Sequence, residues 1–167
     1  MGSPDWIRWR GRGVTLDCPS GWTMVDDGSD TTMPVALAVA ASASGPGFTP
    51  TVVITHDRLE AGMTLSSWAS LTAEVLGQTL AGFRLIDIQD NQMAGQPAIF
   101  RIACCAFRWW PLVMAQFLWL EDDGRRGVTA TMTLSNADYG QRGEELMAIV
   151  QMSHGIDQAH DLEDRPG

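Results

Sequence analysis

The side chains able to do chemistry are few and scattered. His56, Asp57 and Arg58 follow one another after a β-branched run, Thr51 to Thr55. An imidazole beside a carboxylate is the arrangement that orients a general base. Successive strand residues point to opposite faces, so His56 and Asp57 do not make that pair by adjacency alone. His154 and His160 stand far away, with no H-x-x-x-H or C-x-x-C spacing, which argues against a metal site. Asp122-Asp123-Gly124 reads as a hairpin tip rather than a catalytic carboxylate dyad. No nucleophile elbow, phosphate-binding loop or dinucleotide fingerprint is present. No catalytic residue, metal or cofactor is assigned on these grounds.

The remaining candidates are surface groups. Arg108, Trp109, Trp110 and Pro111 place two large rings and a cation beside a proline, between two strand-like segments. Aromatic and arginine side chains are what interface hot spots use. The alternative is a bulge or loop whose rings cover the edge of the core. These four residues, with His56 and Arg58, form the set of candidate binding residues.

Composition narrows the function classes. The formal charge is −9, and all eleven cations are Arg. That acidity opposes nucleic acid as a partner, because phosphate binding needs a basic surface. The cluster Arg8, Arg10 and Arg12 is too short to supply one. Cys18, Cys104 and Cys105 are an odd set with a vicinal pair, so free thiols in a reducing compartment are expected. The first twenty residues lack a continuous apolar core, so no secretory leader is expected. The longest apolar run, Met33 to Ala43, is too short to cross a bilayer. A cytoplasmic location is the expectation, without membrane insertion.

The elements that must position these groups are legible in the periodicity. Trp6 to Leu16 reads as a first strand or hairpin, and Asp17 to Trp22 as a turn. Pro34 to Ala41 is a strand whose alanines leave it ambiguous. After the Thr51–Thr55 strand, Ala61-Gly62 breaks the chain and Thr64 stands as an N-cap. Leu65, Trp68, Ala69, Leu71, Val75 and Leu76 give an apolar stripe, and Gly82 ends the helix. Phe83 to Gln89 is a strand, with turns expected at Asp90–Gln92 and Ala94-Gly95. Strands follow at Gln96–Phe107, Leu112–Glu121 and Gly127–Leu134. Threonines on the last of these predict one wet face. A second helix is predicted from about Asp138 to Met152, with Asn136 as N-cap and Ser153-His154-Gly155 as stop. The order predicts an α+β domain over 1–156: an antiparallel sheet of about six strands packed against two main helices. Residues 157–167 are expected to be a disordered acidic tail.

Three segments also resemble a known group. Pro46-Gly47-Phe48-Thr49-Pro50-Thr51-Val52-Val53-Ile54, then Leu59, Thr64-Leu65 and Trp68, are similar to the strand-to-helix signature of the LpqN/LpqT-like lipoproteins of actinobacteria. Pro19-Ser20-Gly21-Trp22 and Met93-Ala94-Gly95-Gln96-Pro97-Ala98 resemble two of their turns. That group belongs to the PsbP-like proteins, with the DcrB-type proteins. The resemblance implies an antiparallel sheet flanked by helices, a binding or accessory role and no shared catalytic residues. The residues before Cys18 lack the apolar run and small residues of a lipoprotein signal, so none is expected there.

Two readings of function result. The first is a small non-catalytic protein- or peptide-binding module, with a protein partner or a second copy of the chain. DcrB-type relatives suggest a chaperone-like role in secretion. The second is a small-ligand binder or enzyme, with a pocket between sheet and helix and His56, Asp57 and Arg58 at its mouth.

Overall fold

A computed structural model describes residues 5–42 and 46–163, with side chains through Gln151. Nine strands and two long helices follow in the order β1 Trp6–Arg10, β2 Thr15–Pro19, β3 Trp22–Asp26, β4 Val35–Ala41, β5 Thr51–Arg58, α1 Leu65–Thr79, β6 Arg84–Met93, β7 Gln96–Phe107, β8 Trp110–Glu121, β9 Arg126–Ser135 and α2 Tyr139–Glu163. Seven strands form one sheet in the order β3-β4-β5-β9-β8-β7-β6, and β1-β2 is a separate hairpin. Every pairing is antiparallel. The α+β class and the antiparallel sheet are as the sequence predicts, with more strands than the six expected.

The period-2 pattern decides which side of the sheet each helix takes. Val52, Ile54, Val128, Ala130, Met132, Val113, Ala115 and Phe117 share one face. Together with Leu146, Ile149 and Val150 of α2 and Leu16 and Cys18 of the hairpin, they form the main core. Phe100 and Phe117 meet there with ring centroids 4.8 Å apart. The indole of Trp22 donates to Glu145 of α2 at 2.7 Å. Arg142 lies over the same ring, which ties α2 to strand β3. The opposite face carries Thr129, Thr131 and Thr133 and is covered only in part by α1. Trp68 and Ala69 meet Ile99 and Leu118 in a second, smaller core.

Several expectations need correction. Asp17 to Pro19 is strand β2 rather than turn, and only Ser20 and Gly21 separate it from β3. The predicted turn at Asp90–Gln92 is strand, because the chain reverses at Ala94 and Gly95, both in left-handed backbone (φ 50° and 78°). The predicted N-cap Asn136 is replaced by Asp138, whose carbonyl accepts the amides of Gln141 and Arg142. The Ser135 hydroxyl donates to the Asp138 carboxylate at 2.7 Å and fixes that turn. Helix α2 runs through the expected stop at Ser153-His154-Gly155 to Glu163. Residues 164–167 lie outside the described residues. One interior glycine costs only about 1 kcal/mol, too little by itself to end a helix.

Candidate functional site

Helix α1 begins where its sequence says. The Thr64 Oγ1 accepts the Ser67 amide at 3.1 Å, and the chain leaves the helix through Leu80 in extended backbone. Its apolar stripe is only half used. Trp68 and Ala69 are buried against the sheet, whereas Leu71 and Val75 are each 50% exposed. The helix therefore stands off the sheet along its second half. A groove of about 900 Å³ opens between them. Leu71, Val75, Leu76 and Leu80 line one side, and Thr55, Thr129, Thr131 and Met114 line the other.

Trp68 holds the helix on the sheet at one point. A Cβ on Gly127 of β9 would sit 2.5–2.7 Å from three carbons of the Trp68 indole. Only glycine lets the ring lie flat on the strand. Gly127 is not in the left-handed region, so its role is clearance and not backbone freedom.

The groove contains a buried cation. Arg101, Gln116 and Thr131 are in register on β7, β8 and β9 and share one face. The Arg101 Nε donates to Gln116 Oε1 at 2.7 Å, and Gln116 Nε2 donates to Thr131 Oγ1 at 2.9 Å. Arg101 Nη1 donates to the carbonyl of Ala69 at 2.7 Å and so links sheet to helix. Arg101 is 2% exposed. It joins none of the ion pairs among the described residues. Burial pulls its pKa down to about 10, which still leaves it charged near neutrality. The sequence reading missed this residue. Its signal was a lone cation in a strand face otherwise made of Ile99, Ala103 and Cys105.

The candidate residues fall in three places. Asp57 and Arg58 line the groove. Burial raises the pKa of Asp57. His56 points to the other side of the sheet, paired with Val128, beside the turn at Gly13. The structure thus separates His56 from Asp57, as the alternation of a strand requires, while Arg58, the last residue of β5, reaches the groove from the strand's end. Burial, reinforced by Arg126, lowers its pKa, and its Nε2 is buried without a hydrogen-bond partner. Arg108 to Pro111 lie at the far end of the molecule, in the β7–β8 turn. Phe107 pairs with Trp110, so Arg108 and Trp109 form a two-residue connection in which Arg108 adopts φ 55°. Trp109 is 75% exposed and Phe107 is 54% exposed. The Arg108 guanidinium lies 5.4 Å from the Phe107 ring centroid. Trp110 is half-buried and Pro111 exposed. The side chains of His154 and His160 lie outside those described.

The cysteines are free thiols. Burial, with Asp17 and Glu145 nearby, pushes the Cys18 thiol up to about 12. Among the described residues no three metal-ligating side chains cluster. No described helix is long and apolar enough to cross a membrane.

No protein-family model and no curated protein matches the sequence. Solved structures do match. LpqN of Mycobacterium tuberculosis, described as involved in cell envelope biogenesis, aligns with TM-score 0.64 and 12% identity over 90% of both chains. The PsbP of the cyanobacterium Synechocystis aligns with TM-score 0.62 and 11% identity, over 89% of this chain and 91% of that one. Mog1p of Saccharomyces cerevisiae, a Ran-binding protein, aligns with TM-score 0.60 and 10% identity, over 94% of this chain and 98% of that one. The fold is therefore that of the PsbP and Mog1 proteins. At these identities the likeness is one of fold alone.

Proposed function

We propose that the chain is a non-catalytic, cytoplasmic accessory module that binds an extended segment of a partner protein at the β7–β8 tip and the adjoining edge of the sheet. Its kinship with the LpqN/LpqT-like group is part of this reading, as is a chaperone-like role in secretion. The observation that carries it is the exposure of Phe107 and Trp109 around Arg108. Large exposed rings on one tip are a signature of interaction surfaces. Strand β6 extends the same surface. It is the last strand of the sheet, so its outer edge offers unpaired amides and carbonyls, and Leu85, Ile86 and Ile88 are exposed on it. A free edge of that length is a template for an added strand. The yeast Ran-binding neighbour has the same architecture and is named for a protein partner.

The test compares the native chain with a Phe107→Ser/Trp109→Ser variant by affinity co-purification from the native organism and by size-exclusion chromatography. Both rings are exposed, so the variant should keep its Tm within a few degrees. Loss of a co-purified protein, or of a dimer peak, supports the reading. Retention of every association in the variant refutes it. The groove beneath α1 favours a second role, which concerns a small molecule.

A further inference from the structure

We infer that the groove between α1 and the sheet binds a small carboxylate amphiphile, its head on Arg101 and its tail along the exposed half of α1. This goes beyond the protein-binding reading and rests on other residues.

The charge balance points to the head group. A guanidinium carries five N–H donors. Arg101 uses Nε and Nη1, on Gln116 and on the Ala69 carbonyl, and its Nη2 has no hydrogen-bond partner among the described residues. Both acceptors are neutral. Burying a charge without a counter-charge costs several kcal/mol, so buried cations are normally paired. The two acids lining the groove do not fill that role. Asp57 lies three strands from Arg101 and four residues further along, about 20 Å away at ordinary strand spacing. Glu60 is exposed in the loop beyond β5. A planar carboxylate matches the guanidinium fork and accepts from it with charge assistance.

The walls point to the tail. Leu71, Val75 and Leu76 of α1, with Leu80 at its C-cap, form an apolar rail facing Met114 and the methyl-bearing threonines of β9 and β5. From Trp68 to Thr79 the helix rises by eleven residues, about 16 Å. The groove volume lies within the range of small-molecule sites, about 300–1,000 Å³. Half-exposed Leu71 and Val75 would lose their contact with water to such a tail.

The probe is laurate, below its micelle concentration, titrated into the full chain by calorimetry. Dodecanol tests the head, and acetate tests the tail. Laurate should bind at one site, with dodecanol weaker by about tenfold or more and acetate silent. Arg101→Met should remove the preference for laurate over dodecanol. If that variant does not fold, Val75→Glu decides, because it alters a half-exposed side chain at the rail. It should weaken laurate by about tenfold while leaving Tm unchanged. No laurate binding at millimolar concentration overturns the assignment. So do equal affinities for laurate and dodecanol, and so does laurate binding that Val75→Glu leaves intact.

Discussion

Gly127→Ala is expected to destabilise the protein, against the ordinary sign of such a change. At a glycine with compatible backbone, alanine usually stabilises by about 0.4–1 kcal/mol, because it restricts the unfolded chain. Gly127 has such a backbone. Its added Cβ, however, would meet indole carbons of Trp68 at 2.5, 2.6 and 2.7 Å. Carbon atoms normally rest about 3.5–4.0 Å apart, so the ring must retreat by about 1 Å. Trp68 is rooted on α1, and the other buried residue of that helix is Ala69. The helix must tilt, or the indole must leave its rotamer. Overpacking of this kind costs about 1–3 kcal/mol. The net expectation is a loss of about 1–2 kcal/mol once the unfolded-state gain is subtracted. Urea denaturation should show a lower midpoint at unchanged slope. A double-mutant cycle isolates the cause. In a Trp68→Ala background, Gly127→Ala should be neutral or stabilising, because the clash is gone. A stabilising Gly127→Ala in the native chain, or additive effects in the cycle, would refute the reasoning.

Three further outcomes follow from the same structure. Thr64→Ala removes the acceptor of the Ser67 amide and should cost about 1 kcal/mol in the same denaturation assay, with Thr64→Ser close to native. Asp57 has its pKa raised by burial, so folding favours its neutral form. The penalty is absent below the unfolded value of about 4 and appears as pH rises through the folded value. Asp57→Asn should therefore be more stable than the native chain at pH 7, and the gain should vanish near pH 3.5 in a pH series of melts. Cys18, buried and with its thiol pushed up to about 12, should resist alkylation by iodoacetamide at pH 8 in the folded protein. All three thiols should react in urea without reductant, as counted by mass spectrometry, and a disulfide between Cys104 and Cys105 would contradict the structure.

Local chemistry in the sequence set the elements whose signals are local. Thr64 marks the start of α1, because a cap needs only its own side chain and an amide three residues on. Strand β7 has the predicted limits, Gln96 and Phe107, because a tight turn bounds it at each end. The threonines of β9 foretold the wetter face, since alternation follows from strand geometry alone. Other features depend on residues distant in sequence. Strand β3 is only five residues, Trp22 to Asp26, and exists because β4 pairs with it. The end of α2 is weakly marked, as helix growth past Gly155 costs little. His56 and Asp57 adjoin in sequence and part in space, because the strand sends them to opposite sides. Arg101 meets Ala69, thirty-two residues earlier, only because α1 crosses β7. The groove is still less local. Its apolar rail was legible as a helical stripe, and read alone the stripe implied burial. Trp68 seats on Gly127 at one end and leaves Leu71 and Val75 standing clear at the other. How far a helix lies from a sheet is decided by the side chains that meet between them, and those come from separate parts of the chain.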